Sequence, residues 1–312
     1  MRAWLEGRFA SAYERLLKTE IDGAPDHVAV IQDGNRRFAR KRGEEAADGH
    51  RAGAETSEQI IEWCGDLGVE ELTLYAFSTE NSQRPDDERE HLFDLFETKL
   101  REFGDAERIH DNEIRICVIG DLSALPERVK TAAAYAERRT ATYRGFTLNV
   151  AIGYGGRREL LDTVRAIGRE VETDSLEPEQ IDVSTLEGQL HTSPTRAVDL
   201  IIRPGGDERT SNFLPWHANG NEAAAVFCAP YWPGFTKLDF LRAIRTYEQR
   251  EESWRRARVQ RALSLVRAFG GIELDEARSV LERFREHVPS SDTASASALQ
   301  RNSESAPENN SP

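Results

Sequence analysis

His27-Val-Ala-Val-Ile-Gln-Asp-Gly-Asn-Arg-Arg-Phe-Ala-Arg40 commits this chain to an architecture. Val28 to Ile31 is a short apolar run rich in β-branched residues, as a buried strand requires. It runs into Asp33-Gly34-Asn35, a turn in which Gly34 can take backbone angles that other residues resist. Arg36, Arg37, Arg40, Lys41 and Arg42 follow. A strand, a glycine turn with one carboxylate and a basic helix start together suit a phosphate, because backbone N–H groups and a helix N-terminus face the anion. An ordinary Asp-Gly turn before a solvated basic helix would look the same, so the rest of the chain has to decide.

On the amino-terminal side, Trp4, Leu5, Phe9, Tyr13, Leu16 and Leu17 recur at helical spacing. They fit a helix docked on the domain or one lying on a membrane surface, closed by Asp22 to Pro25. On the other side, strands are expected at 72–77, 114–119, 146–152, 198–202 and about 223–227. Helices are expected at about 54–66, 86–110, 126–139 and 157–171, the second opened by Pro85 and the acidic Asp86, Asp87 and Glu88. Apolar strands alternating with helices predict an α/β fold, a single domain with a mostly parallel sheet of about six strands flanked by helices. Ligands in such folds sit beyond the carboxyl ends of the strands. Asp33, Ser78 and Arg203 each fall just past an expected strand end, which places them near one another. The expected divisions are an N-terminal helix over 1–24, a core domain over 25–250, a charged helical extension over 251–288 and a disordered tail over 289–312.

The net charge of -14 and pI near 5.1 argue against a nucleic-acid binder, which needs a basic footprint. The arginines near 36–42 are therefore a local feature on an acidic protein, suited to a small anion. Such a surface also fits adaptation to high salt. Cys64, Cys117 and Cys228 are scattered and form no metal or disulfide pattern, which fits a reducing cytoplasm. No stretch reaches the ~20 apolar residues that span a bilayer.

Three motifs taken together resemble the cis-prenyltransferases, the undecaprenyl diphosphate synthase family, over roughly residues 25–250. They are the Asp33 to Arg37 turn, Ser78-Thr79-Glu80-Asn81, and Arg203-Pro-Gly-Gly-Asp-Glu-Arg-Thr-Ser-Asn-Phe213. The resemblance implies repeated condensation of isopentenyl diphosphate onto an allylic diphosphate primer, farnesyl or geranylgeranyl, giving a long-chain polyprenyl diphosphate. It assigns Gly34, Asn35, Arg36, Arg37, Phe38 and His50 to the allylic diphosphate, and Arg203, Arg209, Thr210 and Ser211 to isopentenyl diphosphate. Ser78, Thr79, Glu80, Ser82 and Arg84 would line the substrates. Asp33 would hold Mg²⁺ with Glu222, and Asn81 would orient the isopentenyl group, since a neutral amide is a poor base.

An apolar tunnel for the growing chain is implied; Leu92, Leu95 and Phe96 fit its wall or plain core equally well. A homodimer and peripheral membrane contact through the lipid product are implied too. Phe38 and Ser82 stand where the family usually has tryptophan, and Ala46 where it often has arginine. The segment around Glu222 is less aromatic than in the family, and the nearest echo of its Arg-x-Gly segment is displaced to Arg267–Gly271. The alternative is a non-catalytic partner subunit of the same fold. An unrelated phosphohydrolase using Asp33 would leave the second arginine motif unexplained.

Overall fold

The structure is a computed structural model that describes residues 14, 17–21, 23–190, 192, 196–218 and 223–269, with side chains to 260. Glu222, the expected helix over 4–17 except residues 14 and 17, Gly270 and Gly271, and the segments expected over 274–288 and 289–312 lie outside the described residues. The chain divides into two compact units, 1–246 and 247–312.

The first unit is built on six parallel strands in the order β3-β4-β2-β1-β5-β6. These are β1 (His27–Ile31), β2 (Glu71–Ser78), β3 (Ile114–Ile119), β4 (Phe146–Tyr154), β5 (Leu200–Pro204) and β6 (Ala224–Cys228). β1 and β5 are buried along their whole length, as strands covered on both faces must be. The chain leaves β1 towards β2 on one side and returns to β5 on the other. The sheet therefore changes direction at β1/β5, and a crevice opens beyond their carboxyl ends.

The helices are α1 (Asn35–Arg42), α2 (Ala46–Leu67), α3 (Asp86–Asp105), α4 (Glu107–Asp111), α5 (Glu127–Thr140), α6 (Gly156–Glu172), α7 (Val183–Gln189) and α8 (Lys237–Phe269). α2 begins eight residues before the expected 54 (54 − 46), so the glycines at 49 and 53, which read as a break, lie inside it. Packing explains them. A Cβ on Gly49 would stand 2.2 Å from the carbonyl oxygen of Asn35, and one on Gly53 2.3 Å from Asn35 Oδ1. A reciprocal Glu45–Asp48 capping box supplies the true start. The helix expected over 86–110 breaks at Ala106, between α3 and α4.

The sheet is less apolar than its sequence suggests. Towards its amino end, His27 Nε2 meets Thr73 Oγ1 at 2.8 Å, and Asn149 Nδ2 donates to both Thr73 Oγ1 (3.0 Å) and Glu71 Oε1 (2.5 Å), all buried. Such groups are tolerated because they satisfy one another. In the second unit, Arg258 stacks on Trp254 at 4.6 Å and Arg256 pairs with Glu252.

Candidate active site at the carboxyl ends of the strands

Just past β1 the chain turns tightly, Asp33 N donating to Ile31 O at 2.8 Å. Gly34 follows at φ +99°, a left-handed angle, and caps α1. This geometry aims the Asp33 carboxylate into a cavity of about 550 Å³. Its Oδ1 accepts from Arg37 Nη2 at 2.9 Å, and its Oδ2 from Arg203 Nη2 at 2.6 Å. Burial pushes the Asp33 carboxyl up, but the bonds from Arg203 and Arg37 outweigh it and hold the group below the usual carboxylate range. Asp33 is thus an ionised clasp between two arginines from distant parts of the chain.

Arg203 lies inside β5 rather than past its end, one residue before the close of the strand, and it is buried. Ser78 likewise closes β2 from within. Arg203 Nη1 donates to Ser211 Oγ at 2.7 Å and to the carbonyl of Arg209, while Nη2 also reaches Asp207 Oδ2 at 3.3 Å. Arg209 is exposed and pairs with Asp207 Oδ2 at 3.2 Å. Ser211, Asn212 and Leu214 all take positive φ angles (49°, 60° and 47°), a cluster of conformations that costs energy and concentrates at working sites. Asn212 pins the loop by accepting from the backbone N–H of Gly156 (3.0 Å) and, through Oδ1, of Arg157 (2.9 Å).

Another wall comes from α2 and the start of α3. Arg84 Nη1 donates to Glu88 Oε1 at 2.8 Å, with His50 Nε2 3.4 Å from the same oxygen and Arg36 Nη1 3.8 Å from Glu88 Oε2. Burial, with the Arg84 charge beside it, lowers the His50 pKa to about 4 against the pull of Glu88. The ring is therefore neutral near pH 7. At the end of β2, Asn81 Oδ1 accepts from Ser78 N (2.9 Å) and Asn81 N donates to Ser78 Oγ (3.2 Å). This pairing opens the 3₁₀ turn Thr79–Gln83 and engages the Asn81 amide oxygen, while Asn81 also lines the cavity.

Of the residues expected at the site, Asp33, Gly34, Asn35, Arg36, Arg37, His50, Ser78, Glu80, Asn81, Arg84, Arg203, Arg209 and Ser211 line this one cavity. Phe38 faces a neighbouring groove with Arg42, Thr79 and Ser82 face an apolar cavity behind the 3₁₀ turn, and Thr210 is exposed. Arg40, part of the basic run after the turn, joins the lining with Tyr75, Gln32 and Asp207, and Glu88 holds it from behind; sequence alone assigned none of these last four to the site. Asp207 had one signal, its place inside the Arg203–Phe213 motif. Six arginines face three carboxylates across the cavity, so it is locally cationic on an acidic protein. Among the described residues, Nε of Arg84 and Nε of Arg203 are buried without a hydrogen-bond partner from the protein, donors that a water or a bound ligand would complete. Such a set of arginines is chemically suited to anionic oxygens.

Residues 31–255 match the family model described as "Putative undecaprenyl diphosphate synthase". The chain is 62% identical over 289 residues to a tritrans,polycis-undecaprenyl-diphosphate synthase (geranylgeranyl-diphosphate specific) of Halobacterium salinarum, covering 93% of this chain and 95% of that protein. It is 56% identical over 282 residues to the protein of the same name from Haloarcula marismortui, covering 90% and 93%. Among solved structures it resembles lavandulyl diphosphate synthase from Lavandula x intermedia in complex with dimethylallyl diphosphate. The TM-score is 0.68 and the identity 34%, over 72% of this chain and 95% of that one. A probable undecaprenyl diphosphate synthase from Campylobacter jejuni aligns with a TM-score of 0.58 at 31% identity, over 72% and 96%.

Proposed function

The chain belongs to the undecaprenyl diphosphate synthase family, and on that footing we propose that it is a Mg²⁺-dependent cis-polyprenyl diphosphate synthase that extends geranylgeranyl diphosphate with isopentenyl diphosphate. The observation that carries this is the Asp33 clasp. Arg37 belongs to the first anion site and Arg203 to the second, and one carboxylate binds both. Two diphosphates bound there lie side by side, as a condensation between them demands. Geranylgeranyl is preferred over farnesyl because the halobacterial relatives are named for it.

Arg36, Arg37, the backbone around Gly34 and neutral His50 would grip the allylic diphosphate, while Arg203, Arg209 and Ser211 grip isopentenyl diphosphate. The terminal alkene carbon of the isopentenyl group then bonds to the allylic carbon as diphosphate departs, leaving positive charge on the methyl-bearing alkene carbon, and the CH₂ on the far side of that carbon loses a proton to set the new double bond. Asn81 orients that group through its amide, and the released diphosphate takes the proton. The apolar cavity behind the 3₁₀ turn, about 440 Å³ and bounded by Phe77, Phe93 and Leu125, supports a route for the growing chain.

The donor set fits Mg²⁺, since Asp33 offers hard oxygens that its surroundings keep ionised. Asp33, with Glu222 as a further ligand, would hold the ion. Bound there it supplies charge stabilisation to a departing diphosphate. Among the described residues no three His, Cys, Asp or Glu side chains gather to hold a metal unaided, and an ion that takes much of its shell from substrate phosphates needs no such cage. A homodimer is inferred as the acting form, to be checked by sedimentation. No described helix is long and apolar enough to cross a membrane, and any membrane contact would come through the lipid product.

The test is incorporation of labelled isopentenyl diphosphate with a panel of allylic primers and Mg²⁺, followed by sizing of the products. Long products from geranylgeranyl diphosphate are expected, with shorter primers used less well. No elongation of any primer would overturn the proposal.

A further inference from the structure

Tyr231 lies just beyond β6, where sequence gave no cue to function, yet it stands at the join between the two anion sites. Its flanking backbone is bonded to both. Gly205 N donates to Pro230 O at 2.7 Å, and Trp232 N donates to Asp33 O at 2.9 Å. Its side chain presses on the first turn from behind, since a Cβ on Gly34 would stand 2.6 Å from Tyr231 Cδ1. The ring also lies beneath two cations one helical turn apart on α1, Arg37 at 5.3 Å and Lys41 at 4.7 Å.

A guanidinium has two kinds of surface, and Arg37 uses both. Its N–H edge donates to Asp33 Oδ1 (2.9 Å) and Gly205 O (3.0 Å), while its Cζ lies over the aromatic ring, 5.3 Å from the ring centroid. Edge bonds alone leave the plane free to tip about the line joining the two acceptors. The ring removes that freedom, and its negative face eases the repulsion between Arg37 and Lys41.

We propose that Tyr231 is a positioning residue for the first diphosphate, fixing the plane of Arg37 and the back of the Asp33–Gly34 turn. This rests on the prenyltransferase reading of the cavity only for the identity of the ligand. The competing explanation is that the ring merely fills space.

Three variants separate these. Tyr231→Leu keeps apolar volume and removes the ring, Tyr231→Phe keeps the ring, and Tyr231→Met replaces the leucine variant should that one not fold. The ringless variant is expected to raise the KM for the allylic primer about five- to tenfold, as loss of a partly buried cation–π contact implies, with the isopentenyl diphosphate KM within about twofold of wild type. Tyr231→Phe should restore the wild-type split. Unchanged primer KM in the ringless variant, or an equal rise in both constants that Phe does not rescue, would overturn the proposal. Calorimetric affinity for inorganic pyrophosphate keeps the two readings apart. Weaker binding by the ringless variant without any wild-type prenyl transfer would sustain the role of Tyr231 and remove the prenyltransferase reading. Equal affinity in wild type and variant would remove the role of Tyr231 and leave the reaction standing.

Discussion

Arg203 and Arg209 come from one motif, but the structure gives them unequal work. The Arg209 side chain is exposed and pairs with Asp207, so Arg209→Ala should weaken isopentenyl diphosphate alone, by about 1.5–3 kcal/mol for a lost charge-assisted bond. Arg203 is buried and also holds Asp33. Arg203→Ala should therefore weaken isopentenyl diphosphate to a similar extent, lower turnover, and raise the Asp33 pKa. Steady-state constants for both substrates check this, and equal kinetic profiles for the two variants would contradict it. Sequence placed both arginines at the site but could not tell them apart, because burial and the bond to Asp33 are tertiary facts. Glu88 and Tyr231 were hidden for the same reason, and Asp207 showed only as a member of the Arg203–Phe213 motif. Two histidines set a pH dependence. His27 and His50 are both lowered to about 4 from 6.5, chiefly by burial. Between those values the unfolded chain binds more protons than the folded one. Their contribution to stability is thus full above pH 6.5 and is lost as pH falls towards 4. Urea midpoints measured from pH 7.5 down to 4.5 should decline, and a flat profile would contradict the burial of neutral rings.

At the scale of elements, the crossing of α1 and α2 shapes the turn after β1. Gly53 brings α2 against Asn35, and Trp232 Nε1 donates to the Gly53 carbonyl at 2.8 Å. Gly53→Ala should push a methyl group into Asn35 and cost about 1–3 kcal/mol of stability through overpacking. Chemical denaturation measures this, with primer affinity falling in step as the turn shifts; unaltered stability would show that the helices have room to spare. The strands and most helices were legible in the sequence because apolar runs and their flanking turns mark them directly. The start of α2 was not, since glycine is read locally as a breaker while its purpose here is contact with another helix. The strained Ser211–Leu214 loop was legible as a motif and opaque as a conformation, for nothing in its composition announces three positive φ angles.

For the whole molecule, charge and topology act together. A net charge of -14 makes the folded state repel itself, and salt screens that repulsion. The melting temperature should rise with KCl, while affinity for diphosphates falls as the six cavity arginines are screened; calorimetric melts and titrations across salt would show opposite slopes, and parallel slopes would contradict the separation of an acidic surface from a cationic cavity. The sheet supplies the other half. By placing β1 beside β5, it brings the carboxylate of a turn near the amino end against a strand arginine 170 residues later. That both substrates meet at Asp33 can be tested with Asp33→Asn, which keeps the shape of the side chain and removes its charge. Turnover measured against Mg²⁺ concentration, with primer binding followed separately by calorimetry, should show a loss of about two to three powers of ten in rate, or about 2.7–4 kcal/mol, while most primer affinity survives on Arg36, Arg37 and His50. Near wild-type turnover at ordinary Mg²⁺ would contradict it.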